Sequence, residues 1–173
     1  MEDLIPLNVL MRWIHIGTTI VVLGGSIFMR FVLMPAAARL PDTEHDEFRG
    51  RVMGIWKKFI GIGILLFLVS GFYNYLVISI PQHKGDKLYH PLMGVKILLA
   101  FAVFFLASAL TGRSKSLEKI RQNSKKWLGI TILLAALVVA IAGFLKVTRK
   151  PISPPPANAG AQSAIKTDLM PLA

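Results

Sequence analysis

Two ionisable side chains, His15 and Lys96, lie inside long apolar runs of the sequence. An imidazole or an amine can accept a proton, pass one on, or coordinate a metal. A charge at the centre of a bilayer costs about 3 kcal/mol on insertion scales, so an ionisable residue there is a candidate for function. The first question is therefore whether His15 and Lys96 belong to one site.

Four apolar runs surround these residues, at about 7–34, 59–80, 91–111 and 127–146. Each approaches the roughly 20 residues that a helix needs to cross a bilayer, and none has the alternation of a barrel strand. The sequence therefore predicts an all-α, integral membrane four-helix bundle over residues 1–150. The Pro- and Ala-rich segment 151–173 lacks the composition of a packed core and is expected to be a disordered tail.

The basic residues are distributed unevenly around these runs. Excluding Lys96, twelve of the Lys and Arg residues lie in or beside the loops after the first and third runs, against seven elsewhere. By the positive-inside rule, those two loops are cytoplasmic and both termini lie on the outer side of a bacterial inner membrane. The net charge of +11 then reflects topology, and we expect the bilayer as partner and no nucleic acid. The absence of cysteine excludes disulfides, iron–sulfur clusters and thiolate sites.

The loops and interfaces give further expectations. Asp42 or Thr43 could cap a short amphipathic helix that leads into the second run. His45 is expected to be solvated in an acidic loop. Trp56 and Trp127 begin the second and fourth runs, where aromatic residues anchor a helix at the membrane interface.

Helical periodicity places polar and small residues on one face of each run. The predicted inward stripes are His15, Thr18, Thr19, Val22, Gly25, Ser26 and Met29; Gly63, Phe67, Ser70, Gly71 and Asn74; Met93, Lys96, Ala100, Val103 and Ala107; and Thr131, Ala135, Val138, Ala142 and Lys146. At 1.5 Å per residue, His15 and Lys96 lie roughly 8–12 Å from the outer boundary. Asn74 is expected at the same depth, and His90 about a turn and a half above Lys96.

This grouping has more ordinary explanations as well as a functional one. Lys96 could extend its side chain to the outer interface, and His15 could bond a carbonyl or a threonine of a neighbouring helix. A metal site at His83 and His90 is another alternative, but its spacing matches no closed zinc or copper pattern.

An imidazole and an amine facing each other in an apolar bundle suit a haem. His15 would be one axial ligand and Lys96, as the neutral amine, the other. Cationic residues on the outer side, namely Arg12, Lys84, Lys87 and Lys146, could pair with the propionates. Without cysteine the haem would be b-type. A proton relay or a copper pathway could use the same pair.

Two motifs resemble a known family. Trp13-Ile14-His15-Ile16-Gly17, followed by Gly24-Gly25, Phe28, Arg30 and Pro35, resembles the first span of HemJ-type protoporphyrinogen oxidases and copper-resistance-D-like membrane proteins. Gly94-Val95-Lys96-Ile97-Leu98-Leu99 resembles the third-span lysine motif of the HemJ type. The resemblance implies that His15 and Lys96 take the places of the family's essential pair, associated with b-type haem.

The sequence thus predicts a membrane protein that binds haem b and acts in electron transfer or porphyrin oxidation. His15 and Lys96 are the expected iron ligands, with His90, Asn74 and Arg12 as further cofactor-binding residues. Two alternatives stay open: a non-enzymatic subunit of a larger membrane complex or homo-oligomer, and a protein that handles copper or a small solute.

Overall fold

The computed structural model describes residues 5–83 and 85–148, and every regular element in that part of the chain is helical. Four helices are long and apolar enough to cross a membrane: α1 (Ile5–Ala37), α2 (Asp42–Gln82), α3 (Tyr89–Thr111) and α5 (Ser124–Thr148). A short helix, α4 (Glu118–Gln122), lies in the connection between α3 and α5. The predicted tail and Lys84 lie outside the described residues.

All four long helices extend beyond the predicted runs, and the difference is largest for α2. The sequence predicted a separate short helix before the second run, but α2 is continuous from Asp42. The proposed cap at Asp42 or Thr43 is wrong, because Pro41 occupies the N-cap position and its carbonyl accepts the His45 N–H at 2.8 Å. Asp42 and Glu44 instead lie in the first turn, where negative charge complements the helix dipole.

Two wide π-helical turns interrupt the long helices, Met29–Leu33 in α1 and Asn74–Ser79 in α2. Each comes directly before a short α-helical end with proline among its first residues, Pro35 and Pro81. Proline has no N–H and its ring collides with the carbonyl four residues earlier, so the backbone before it must widen or bend. The prolines therefore account for both π turns.

The long helices form a bundle in which chain neighbours pack side by side. α1 packs against α2 and α5, and α3 packs against the same two helices. α1 and α3 therefore lie diagonally opposite each other. The connection from α2 to α3 turns at Gly85, whose φ of 92° suits a residue without Cβ. The Asp86 carboxylate then accepts the N–H groups of Leu88 and Tyr89 as α3 begins.

The burial pattern matches the predicted stripes closely. Thr18, Ser26, Ser70, Met93 and Thr131 are buried, whereas Lys146 at the end of the fourth stripe is exposed and Leu145 is buried in its place. The outer faces carry large exposed apolar side chains, among them Ile20, Phe28, Ile62, Leu98 and Leu133. An exposed apolar surface of this extent is typical of a face that contacts lipid or another protein.

Close packing of α1 on α2 depends on two glycines. A Cβ on Gly25 would lie 2.8 Å from Cζ3 of the Trp56 indole, and one on Gly63 would lie 2.7 Å from Cγ2 of Val22. Trp56 is half-buried against α1, so its role as an interface anchor is combined with helix packing. The absence of a side chain at Gly25 and Gly63 therefore lets α1 and α2 approach closely. A larger residue at either position would have to displace Trp56 or Val22.

Candidate functional site

His15 lies on the face of α1 that packs against α2. Its Nδ1 is 3.0 Å from the Ser70 hydroxyl oxygen, and its ring meets the Phe67 ring edge to face at 5.2 Å. Phe67 in turn stacks on Phe104 of α3, with ring centroids 5.6 Å apart. The imidazole is therefore held by one hydrogen bond and one aromatic contact, both from α2.

The hydrogen bonds of Ser70 determine which nitrogen of His15 carries the proton. The Ser70 hydroxyl oxygen is 2.6 Å from the Leu66 carbonyl oxygen, and two oxygens approach so closely only when a proton lies between them. The single hydroxyl proton is thus donated to Leu66. Ser70 must accept the second bond, so His15 donates from Nδ1–H and its Nε2 keeps a lone pair.

That lone pair has no competing partner among residues 5–83 and 85–148. The side-chain hydrogen bond of His15 uses Nδ1. Among the described residues, Nε2 is not a fully buried polar atom that lacks a hydrogen-bond partner. Nε2 is therefore not completely enclosed by the described residues. An imidazole with its Nδ1–H anchored and its Nε2 open is the arrangement in which histidine binds a metal or accepts a proton.

Gly71, the residue after Ser70, leaves room for the imidazole. A Cβ at this position would lie 3.4 Å from His15 Cε1 and 3.7 Å from Nδ1. The first distance is tighter than an ordinary van der Waals contact. The Ser70-Gly71 pair thus supplies both the hydrogen-bond acceptor and the space that His15 occupies.

Lys96 lies on α3, diagonally across the bundle from α1, and is half-buried. Within the described ranges Lys96 forms no ion pair, and the structure gives it no hydrogen bond. Nearer the start of α3, one and two turns before Lys96, Met93 and Tyr89 pack with Leu145 in an apolar cluster.

Asn74 is one turn away from the level at which the sequence placed it. Its side-chain amide donates to the Met11 carbonyl at 3.4 Å, and the neighbouring Tyr73 hydroxyl donates to Asn8 Oδ1 at 2.9 Å. Ser70, four residues earlier, is the residue that meets His15. Sequence analysis put Ser70, Phe67 and Gly71 on the inward stripe but assigned none of them a role.

The remaining predicted residues lie nearer the end of the bundle where α1 begins. His90 is half-buried and six residues before Lys96, about 9 Å along the helix at 1.5 Å per residue. Arg12 is exposed. Tyr89 contacts two histidines: it stacks on His83 with ring centroids 3.7 Å apart, and it meets His90, the next residue of α3, edge to face.

The other two histidines lie away from His15. His83 is buried, and its Nδ1 lies 3.0 Å from the Ser79 carbonyl oxygen, so it is part of the packing of the loop. His45, expected to be solvated, has 33% of its side chain exposed, and its Nδ1 lies 3.4 Å from Asp46 Oδ1. No group of three or more His, Cys, Asp or Glu side chains that could hold a metal ion occurs among the described residues.

Comparisons of the chain with protein-family models, with curated proteins and with solved structures find no match. The chemistry of the site must therefore be argued from the residues themselves.

Proposed function

We propose that the chain is a multi-pass protein of the bacterial inner membrane that binds b-type haem between α1 and α3, with His15 as an iron ligand. Lys96 is the proposed second ligand, and the proposed activity is electron transfer or porphyrin oxidation. Both termini are proposed to lie outside, because the connections after α1 and after α3 carry most of the basic residues.

The observation that carries this proposal is the open Nε2 of His15. Iron-bound histidines donate their other ring N–H to a neighbouring acceptor, which holds the tautomer and the orientation of the ring. The Ser70 hydroxyl is such an acceptor at 3.0 Å. The Nε2 of His15 has no hydrogen-bond partner among the described residues, so it is available as a ligand atom.

The surroundings of His15 fit a haem in their chemistry. Phe67 and Phe104 would form an aromatic wall beside the haem, and half-buried Lys96 would supply an amine from the diagonal helix. The chain has no cysteine, so attachment would be non-covalent. When bound, the haem would supply one-electron chemistry at a potential that the apolar wall and the ligands tune.

The alternatives have less support in the contacts. A subunit of a larger complex would use small-residue stripes to pack against its partner, but Gly25, Gly63 and Gly71 meet α1 or α2 of the same chain. A copper site would need a cluster of soft or imidazole ligands. Met29, Met34, Met53 and His45 do line one groove, but it lies at the other end of the bundle from His15, so a copper site there would not use His15 or Lys96.

An absorption spectrum of the purified full chain tests the haem directly. We expect a Soret band, retained in His45→Ala and lost in His15→Ala. The control removes a histidine that bonds only Asp46 at the opposite end of the bundle. A preparation in which added haemin keeps the spectrum of free haemin in the same detergent, or a His15→Ala variant with an unchanged band, would refute the proposal.

The role of Lys96 needs a second variant. Lys96→Leu removes the amine and offers no atom that could bind iron, so a changed iron spin state is expected if Lys96 is a ligand. An unchanged spectrum would remove Lys96 from the ligand set and leave His90 or an open position on the iron. Turnover of protoporphyrinogen by the loaded protein would then distinguish an oxidase from an electron carrier.

A further inference from the structure

A groove lies at the other end of the bundle, far from His15. It is formed where α1 ends and α2 and α5 begin, and its volume is about 290 Å³. Its inner wall is apolar and comes from buried or half-buried side chains of α1 and α2, including Met29, Leu33, Val52 and Met53. Phe48 lies at the margin of this wall and is partly exposed.

Cations line the same groove on its exposed side. Arg49 and Lys125 are both exposed and come from α2 and α5. Among the residues that the structure describes, no carboxylate lines the groove. In the described part of the chain, the ion pairs join Arg51 to Glu47 and His45 to Asp46, so neither Arg49 nor Lys125 is neutralised.

Further positive charge adjoins the groove. A neighbouring recess shares Lys125 and is also lined by Arg30 and Lys126. Arg30 donates from Nε to the Lys125 carbonyl at 3.0 Å, which ties α1 to the start of α5 and holds its guanidinium beside the recess. Arg49 and Lys125 thus line the apolar groove itself, and Arg30 and Lys126 add positive charge in the recess beside it.

The tryptophans indicate the depth of this groove. Trp127 follows Lys125 by two residues, and Trp56 packs against Gly25 one turn before Met29. Tryptophan concentrates at the boundary between acyl chains and headgroups. The cations therefore lie at the level of phosphate groups, and the apolar wall lies at the level where acyl chains begin.

We propose that this groove binds an anionic phospholipid, with the phosphate at Arg49 and Lys125 and the first part of an acyl chain against Met29, Leu33 and Val52. The occupant must combine negative charge with an apolar chain, because the groove presents cations and an apolar wall side by side. Basic pockets between membrane helices on the cytoplasmic side bind anionic headgroups in this way. The inference is independent of haem binding.

Lipid-dependent stability of the delipidated full chain in detergent tests the proposal. Phosphatidylglycerol and phosphatidylcholine with identical acyl chains are added in turn, and binding is followed by thermal unfolding and by native mass spectrometry. Phosphatidylglycerol is expected to bind and raise the unfolding temperature, and phosphatidylcholine to do so far less. Each of Arg49→Gln and Lys125→Gln should weaken phosphatidylglycerol binding about fivefold, and the pair about 30-fold.

Matched variants and a soluble probe make the result decisive. Arg39→Gln and Lys119→Gln remove the same charge at exposed positions outside the groove and should change binding less than twofold. Glycerol phosphate, which lacks acyl chains, should give no stabilisation. Equal binding of both lipids, equal losses in groove and control variants, or full stabilisation by glycerol phosphate would each overturn the proposal. Both groove residues are exposed, so loss of folding cannot account for a selective loss of lipid binding.

Discussion

Ser70→Ala isolates the hydrogen bond on which the His15 site depends. Ser70 is 0% exposed and makes two bonds, one to Leu66 within α2 and one to His15. The substitution removes the acceptor and leaves the His15 Nδ1–H facing an apolar side chain. A buried donor left unpaired costs about 1–3 kcal/mol.

The magnitude agrees with what such contacts contribute to metal sites. Loss of a hydrogen-bond partner behind an iron ligand typically weakens metal binding about 10–100-fold. At 1.4 kcal/mol for each factor of ten, this range corresponds to about 1.4–2.8 kcal/mol. We therefore expect Ser70→Ala to lower haem affinity about 10–100-fold in a haemin titration followed at the Soret band.

Ser26→Ala is a closely matched control. Ser26 is 7% exposed and donates to the Val22 carbonyl at 2.7 Å, the same bond within a helix that Ser70 makes to Leu66. It contacts no histidine in the structure. Subtracting its effect from that of Ser70→Ala leaves the contribution of the His15 contact.

The tautomer provides a measurement that does not require haem. In the ligand-free protein, long-range proton–nitrogen correlation should show His15 protonated at Nδ1 with a bare Nε2. Ser70→Ala should produce a mixture of the two tautomers, whereas Ser26→Ala should leave the spectrum unchanged. A wild-type His15 protonated at Nε2, or equal haem affinities in Ser70→Ala and Ser26→Ala, would refute the assignment.

Two further substitutions test the packing that positions the site. Gly25→Ala places a Cβ 2.8 Å from Trp56 Cζ3 and should destabilise the chain by about 1–3 kcal/mol in thermal unfolding, whereas Gly24→Ala, with nothing within 4 Å, should not; equal effects would contradict the close contact. Tyr73→Phe removes the 2.9 Å bond to Asn8 and should cost about 1 kcal/mol in denaturant unfolding without changing the Soret band. A spectral change in that variant would mean that the bond belongs to the haem site.

The sequence predicted the faces of the helices better than the levels of the residues along them. Periodicity alone put His15 and Ser70 on inward stripes, because a helix repeats its face every 3.6 residues whatever packs against it. Depth was counted from the ends of apolar runs, and α2 continues beyond that run at both ends. Counting residues from the end of the run therefore predicted Asn74 at the level of His15. In the structure Ser70 lies at that level, and Asn74 lies one turn further along α2.

Other parts of the site could not be predicted because they depend on contacts between helices. That α1 and α3 are diagonal follows from which helices touch, and no periodicity within one helix contains this information. The buried stack of His83 on Tyr89 likewise joins residues on two sides of a turn.

The pairing of α1 with α2 links the close-packed glycines to the chemistry of His15. Along the antiparallel pair, Trp56 meets Gly25, Gly63 meets Val22, and the same face then carries the contact between His15 and Ser70. A slip of one turn along this face would bring Asn74 or Leu66 to His15 in place of Ser70. A leucine offers no acceptor, and an asparagine side chain is longer than a serine hydroxyl and can donate as well as accept. The Gly25 and Gly63 contacts oppose such a slip because neither Trp56 nor Val22 can pass another side chain there. The tautomer of His15 therefore depends on packing that begins about 15 Å away, ten residues along α1 at 1.5 Å each.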